Sequence, residues 1–278
     1  MREEIKFQIK NTAYNSERQS KTNSQLVNQL YLLNLLIKIE LTEQKRLIIK
    51  TNILLPGGNK QFEHLLANGI NSGKNALIIG SGCELIALQL IEHFREVTVI
   101  VNDYELLMQY KININDEEKI KTKMMDYVHT DFKQDYFDLI YAQASLSVPE
   151  RKDIIKEIKR MLIKDGIFCI GEIVSLKEPV PTFVKDNWAR SGLEPLPSSE
   201  ISNYFESRSF RIISESDLSN TLKDFYQKIK YKLSKSTKEE KDESKKLYAA
   251  MKHECDVYLK LGGEKYIGYK SLIMRKAN

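Results

Sequence analysis

Two glycines separated by a serine, Gly80-Ser81-Gly82, with Asp103 about twenty residues downstream, are the residues whose types and spacing most directly suggest chemistry. Four consecutive apolar residues precede them, Ala76, Leu77, Ile78 and Ile79, which suits a strand buried on both faces. The glycines suit a tight strand-to-helix turn whose backbone can approach a ligand closely. A second strand-like run, 97–101, ends just before Asp103, where an acid can accept hydrogen bonds from ribose hydroxyls. The spacing predicts a nucleoside site, with Asp103 as the ribose acceptor. The competing use of Asp103 is to cap a helix that begins near Tyr104.

What the loop lacks bears on which nucleoside it would take. A dinucleotide fingerprint places a third glycine at position 85 so that the helix can pack tightly, and this chain has Leu85. Glu84 opens the helix. A carboxylate there suits the helix dipole but competes with a pyrophosphate for the same amide groups. S-adenosylmethionine carries no phosphate and bears a positive sulfonium and ammonium, so the loop favours it over NAD.

The elements that must position these residues alternate along the chain. Strand runs are expected at 75–79, 97–101, near 122–125, at 137–142 and at 167–174, with helices over 83–94, 104–112 and 150–163. Such alternation implies right-handed crossovers and a parallel sheet, with ligands at the carboxyl ends of its strands. Gly80, Asp103, Asp126 and Gln143 all fall at those ends. Further on, a helix over 198–209, a strand over 210–214, an interrupted charged helical region over 217–261 and a strand over 266–275 are expected. Ahead of the sheet, residues 1–23 read as a polar arm, and Leu26, Leu30, Leu33 and Ile37 give a helical stripe over 24–40. Pro56-Gly57-Gly58 breaks the chain before a helix-like segment at 60–68.

Four stretches resemble the class I S-adenosylmethionine-dependent methyltransferases, in particular their small-molecule branch related to the ubiquinone-biosynthesis enzymes (methyltransferase type 11/25-like). They are ALIIGSGCE, VIVNDYELL, MMDYVHTDFKQDYFDLIYAQASL and RMLIKDGIFCIGEI, and the resemblance covers roughly residues 56–175. Two positions depart from the family pattern: Ile78 stands where it usually has an acid, and Glu84 where it usually has a third glycine. The resemblance implies an α/β, Rossmann-like, seven-stranded and mostly parallel sheet with helices on both faces. The chain then divides into an N-terminal arm and helix (1–55), a methyltransferase-like core (56–216 and 264–278) and a helical cover over the substrate site inserted before the last strand (217–263). That strand would run antiparallel beside strand five.

The cofactor implied is S-adenosyl-L-methionine, leaving as S-adenosyl-L-homocysteine, and the acceptor a small molecule methylated on O, N or C; the rival readings are a nucleic-acid or protein methyltransferase and, given the altered glycine loop, a non-catalytic S-adenosylmethionine-binding protein. Carried over by position, the cofactor-binding set is Gly80, Ser81, Gly82, Glu84, Asp103, Tyr104, Asp126, Tyr127 and Gln143. Asp126 with Tyr127 matches the acid that reaches the adenine amino group, the alternative being an ordinary turn aspartate. The Asp/Asn-Pro-Pro-aromatic turn of nucleobase amino-methyltransferases is absent, Tyr141-Ala-Gln-Ala standing in its place. Gln143, and less so Ser145, could touch the methionine part of the cofactor or the substrate.

Candidates for a base are His129, whose ordinary pKa range suits proton removal, and Glu172 at the end of strand five, which reads equally as a buried structural acid. Trp188, Phe225, Tyr226, Tyr231, Tyr248, His253 and Tyr258 supply aromatics around the cover, able to hold a planar or cationic substrate or to pack a core.

The whole chain bounds these readings. Its 278 residues, 42% hydrophobic, can build one large domain with additions. Lys and Arg total 43 against 38 Asp and Glu, a net charge of +5 that is weaker than the concentrated patch of a nucleic-acid binder, so that partner is not expected. Cys83, Cys169 and Cys255 form no CxxC pair, which argues against a disulfide framework or a zinc site, and two of them lie in apolar runs where thiols are buried and inert, which argues against metalloid chemistry. The start MREEIKFQIK lacks the apolar core of a signal peptide, and no apolar run reaches the roughly 18 residues of a membrane span. A cytoplasmic enzyme is expected, its oligomeric state left open.

Overall fold

The structure, a computed structural model, describes residues 53–113, 118–235 and 245–277. The arm over 1–23, the helix over 24–40 and the middle of the charged stretch within 217–263 lie outside the described residues. In chain order the elements are α1 (Lys60–Ala67), β1 (Gly73–Ile79), α2 (Glu84–Leu90), β2 (Phe94–Val101), α3 (Tyr104–Asn113), β3 (Ile120–Met124), β4 (Phe137–Gln143), α4 (Arg151–Met161) and β5 (Leu162–Ser175). Then come α5 (Thr182–Arg190), β6 (Leu196–Pro197), α6 (Ile201–Glu206), β7 (Phe210–Asp217), α7 (Thr221–Lys235), α8 (Lys245–Leu259) and β8 (Ile267–Lys276).

Seven of the strands form one sheet in the order β3-β2-β1-β4-β5-β8-β7. Strands β1 to β5 pair in parallel, and β8 runs antiparallel between β5 and β7. The seven-stranded reading therefore holds, with the last strand beside the fifth. A two-residue eighth strand, β6, pairs β5 at Val174 and Ser175, beyond the point where β4 ends opposite Gly171. The chain winds outward from β1 through β2 to β3, then crosses to β4 on the other side of β1, so the reversal of strand order falls between β1 and β4. That is where an open α/β sheet places its ligand cleft.

The period-two alternation of β1 explains why both faces carry helices. Ala76 and Ile78 are fully buried in a cluster with Phe62 and Leu65 of α1, Ile86 and Leu90 of α2, and Leu107 and Tyr110 of α3. Leu77 and Ile79 are equally buried on the other face with Ile154, Ile155 and Ile158 of α4 and Phe205 of α6. An uninterrupted apolar strand is what two-sided burial requires. β3, at the sheet edge, is exposed or half-buried throughout and carries Lys121 and Lys123, which discourage further strand pairing.

Some boundaries differ from those expected. α2 ends at Leu90 rather than 94 because Phe94 is drawn into β2, where it pairs with Gly73. β5 begins at Leu162, directly after α4, because Leu162 pairs with Phe137. Helix α5 has no counterpart in the sequence reading; its Val184 and Trp188, four apart, are buried on one side.

Within the charged region over 217–261, the described residues include two helices, α7 and α8. Tyr226 of α7 stacks on Tyr258 of α8 at 4.4 Å, and the Tyr248 hydroxyl donates to the Leu233 carbonyl at 3.1 Å, so the two helices run antiparallel. Their apolar faces meet Val184 and Trp188 of α5 and Ile173 and Tyr269 of the sheet, with Leu54 and Ala144 at the margin. Trp188, Tyr226 and Tyr258 are thus packing residues, and Tyr231 is exposed. No described helix is long and apolar enough to cross a membrane.

Candidate active site

A cleft of about 580 Å³ opens at the carboxyl ends of β1, β2, β3 and β4. Gly80 and Ser81 line it from the end of β1, Asn102 from β2, Asp126 to Val128 from β3, and Gln143 to Ser145 from β4. Leu55 closes one side, and Val148, Glu150 and Ile154, at the start of α4, close the other.

The glycine turn is held by groups the sequence reading did not single out. Gly80 has φ +119°, and a Cβ there would stand 2.7 Å from the Ser145 Cβ, so no side chain fits. The Tyr110 hydroxyl, from α3, accepts from the Cys83 backbone amide at 2.7 Å and donates to the Gly80 carbonyl at 3.3 Å. It closes the turn like a clasp. The Ser145 hydroxyl donates to the Ile79 carbonyl at 2.8 Å, tying the β4 loop to the same turn. Tyr110 lies 28 residues from Gly82 on another element, and only its helical register against Leu107 hints that it points inward.

Of the predicted cofactor residues, Gly80, Ser81, Asp126, Tyr127 and Gln143 line the cleft, whereas Gly82, Glu84, Asp103 and Tyr104 stand outside the lining. Gly82 sits behind the turn at φ +75°. Glu84 is half-buried in the first turn of α2, where a carboxylate complements the helix dipole. Asp103 Oδ1 accepts from the amides of Glu105 and Leu106 at 2.8 and 3.1 Å, so this residue caps α3. Tyr104 is exposed. Asp126 Oδ1 accepts from the Val128 amide at 2.9 Å and shapes the turn after β3. Burial pushes the Tyr127 hydroxyl up to about 12, against a hydrogen bond with the Asn102 backbone.

Gln143 is 1% exposed, and its amide nitrogen donates to the carbonyls of Pro56 and Gly58 at 2.8 and 2.9 Å while its oxygen accepts from Tyr141 at 2.8 Å. Both amide hydrogens are thereby used in pinning the Pro56-Gly57-Gly58 turn to the end of β4. Gln61, also unforeseen, repeats the device one turn on: its nitrogen donates to the Ala142 carbonyl at 2.9 Å and its oxygen accepts from Tyr269 at 2.6 Å.

The two candidate bases occupy opposite environments, and neither lines the cleft. The His129 side chain is 84% exposed, with Nδ1 3.6 Å from Asp126 Oδ2. Glu172 is buried beneath the loop after β4, where it accepts from the Leu146 amide at 2.9 Å, the Ser145 amide at 3.2 Å and the Ser147 hydroxyl. Burial raises its pKa, opposed by those donors and by the Arg151 guanidinium. The three cysteines are buried, and burial pushes the Cys169 thiol up to about 12 and that of Cys255 to about 11.

The charge of the cleft follows from its lining. Asp126 and Glu150 contribute carboxylates, and no Lys, Arg or His is among the lining residues. Glu150 was not a sequence candidate; its place just before α4, where an acid is favoured, was the available signal. A phosphate-bearing dinucleotide would meet these acids without a countercharge. A cationic nucleoside thioether suits them, and the side-chain-free Gly80 leaves its backbone open to such a ligand.

A family model described as "Methyltransferase domain" matches residues 77–170. A search of the curated proteins finds no match to the sequence. Among solved structures, the [4+2]-cyclase SpnF superposes with TM-score 0.66 at 19% identity, over 79% of this chain and 81% of its own. Phosphoethanolamine N-methyltransferase 2 of Haemonchus contortus gives TM-score 0.66 at 14% identity, over 82% of this chain and 55% of its own. Geranyl diphosphate C-methyltransferase of Streptomyces coelicolor A3(2) gives TM-score 0.61 at 10% identity, over 79% and 78%. At these identities the likeness is one of fold, and the cyclase among them shows that the fold serves more than one reaction. The family match over residues 77–170, together with the strand order, marks that stretch as a methyltransferase domain of Rossmann-like fold.

Proposed function

We propose that this enzyme transfers the methyl group of S-adenosylmethionine to an O, N or C atom of a small-molecule acceptor. The observation that carries this reading is the cleft itself: it lies at the sheet's reversal point, has nucleoside dimensions and is lined by carboxylates without a cation. The solved relatives described as acting on phosphoethanolamine and geranyl diphosphate support the class of acceptor.

S-adenosylmethionine, when bound, supplies an electrophilic methyl on a sulfonium. Around it the residues present would bind and orient. The Gly80 and Ser81 backbone would hold the methionine part, with Glu150 and Glu84 supplying negative charge that Ile78, apolar and fully buried, does not. Asp103 Oδ2, left over from capping, would accept from ribose, and Asp126 Oδ2 from the adenine amine, with Tyr127 beside it. Gln143 would act by fixing the Pro56 turn as a wall. With His129 exposed and Glu172 enclosed, positioning and exclusion of water, rather than a side-chain base, would carry the rate. The α7–α8 pair, beside Ala144 and Leu54, would cover the acceptor; replacing 221–259 with a Gly/Ser linker should abolish turnover and spare cofactor binding, and unchanged turnover would refute the cover.

Calorimetry with S-adenosylhomocysteine and NAD, followed by transfer of a tritiated methyl to small metabolites, bulk RNA and protein, tests the reading. Binding of S-adenosylhomocysteine alone and label in small molecules are expected. Binding of NAD alone, or label only in macromolecules, would overturn it.

A further inference from the structure

On the side of α4 away from the cofactor cleft lies a trough of about 570 Å³. α4 forms one wall and the turn between α6 and β7 the other. Six cationic side chains line it, Lys152, Lys156, Lys159, Arg160, Arg208 and Lys276, against the single carboxylate of Asp153.

The acids that could neutralise the trough are engaged elsewhere or engage only part of it. Glu157, one residue from Lys156, accepts from Arg160 at 2.6 and 2.8 Å and from Thr130 at 2.6 and 3.0 Å. Asp135 pairs with Lys276 at 2.6 Å. Neither Lys152 nor Lys156 forms an ion pair with a described residue, and both are exposed. Lys159 reaches the Arg208 carbonyl at 3.4 Å, so the two walls converge there. Lys152, Lys156, Lys159 and Arg208 thus carry net charge into one concavity.

We propose that this trough is a docking site for the phosphate backbone of a single-stranded nucleic acid. It goes beyond methyl transfer and does not require the bound strand to be the acceptor. Lys152, Lys156 and Lys159 ascend one helix face over roughly 10 Å at 1.5 Å per residue, a length that spans about three phosphates at the spacing of a stacked strand. Ser207, Ser209 and Gln134 complete the lining with neutral donors of the kind that contact phosphate oxygens. An acidic polypeptide is a poorer fit, because peptide docking relies on apolar or aromatic anchors and Ile155 is the one aliphatic lining residue. No free aromatic face lines the trough: Tyr204 is covered by the Arg208 guanidinium at 3.5 Å. Base stacking therefore adds nothing, and binding is independent of sequence.

The test uses the full chain and fluorescein-labelled single-stranded RNA 12-mers of different sequence, followed by anisotropy from 50 to 200 mM salt. Binding should weaken steeply with salt and vary little with sequence. The double variant Lys152→Glu/Lys156→Glu should weaken binding at least about tenfold and flatten the log–log salt slope by about 1.4, two contacts at 0.7 each. Its S-adenosylhomocysteine affinity, which also reports folding, should be unchanged. Single Lys152→Gln and Lys156→Gln changes should each give part of the loss. The proposal falls if wild type fails to bind at 50 mM salt, if the double variant binds as wild type, or if poly-glutamate of equal charge competes as well as the RNA.

Discussion

Helix α4 separates two concavities of nearly equal volume, about 580 and 570 Å³, whose linings carry opposite charge. Glu150, just before the helix, and Ile154 face the cofactor cleft; Lys152, Ile155 and Lys156 face the trough. A shift of one or two positions along one amphipathic helix therefore decides which site a side chain serves. The cleft selects by what it lacks, namely any cation to meet a phosphate. The trough selects by what it leaves unpaired. The chain-wide charge of +5 describes neither, since it averages a carboxylate-lined cleft with a lysine face.

The contrast is broken most severely at the glycine turn. Gly80→Ala forces a residue with a Cβ into φ +119° and against Ser145, so S-adenosylhomocysteine affinity should fall by about 100-fold or more, with RNA binding kept. Calorimetry and anisotropy on the same preparation check both halves. Equal loss in the two assays would mean that the variant had unfolded instead.

Asp103→Ala separates capping from ribose binding. Loss of the cap alone lowers stability by about 1 kcal/mol. Loss of a charge-assisted ribose contact as well should weaken S-adenosylhomocysteine binding by about 1.5–3 kcal/mol. A lower melting temperature with an unchanged dissociation constant would leave Asp103 as a cap only.

Tyr110→Phe leaves the Cys83 amide buried without its acceptor, a cost of about 1–3 kcal/mol in stability. The freed turn should bind S-adenosylhomocysteine about fivefold more weakly, by the same loss of preorganisation. Unaltered melting and affinity would show that the turn closes without the clasp.

The smallest effect sharpens the basic side. Hydrogen bonding to Arg160, with Thr130 assisting, holds the Glu157 carboxyl down to about 2 from 4.5. Because the folded value lies below the unfolded one, this stabilisation is present above pH 4.5 and is lost as pH falls from 4.5 towards 2. Discounted for solvent screening of Arg160, it is about 1 kcal/mol. Glu157→Gln should remove that part of the acid dependence of unfolding. It should also free Arg160 and strengthen RNA binding about two- to fivefold at low salt, leaving the cleft unchanged. Identical RNA affinity would place Arg160 outside the docking surface.

Sequence alone determined the features that rest on local pattern. The apolar run 76–79 has to be buried on both faces, the glycines have to turn, and alternation of strands and helices has to give a parallel sheet with its cleft at the strand ends. The missing third glycine and Glu84 already argued for a cofactor without phosphate. Other features depended on partners distant in the chain, which no local pattern encodes. Asp103 and Gln143 stand at strand ends as expected, but their hydrogen bonds to α3 and to the Pro56 turn are set by tertiary packing. Tyr110 became a clasp only because α3 lies against the glycine turn, and Glu172 became the anchor of the loop after β4 only because β5 passes beneath that loop. The trough, likewise, exists because the turn between α6 and β7 folds opposite α4, bringing Arg208 beside lysines some fifty residues away and turning a solvated helix face into one wall of a concave site.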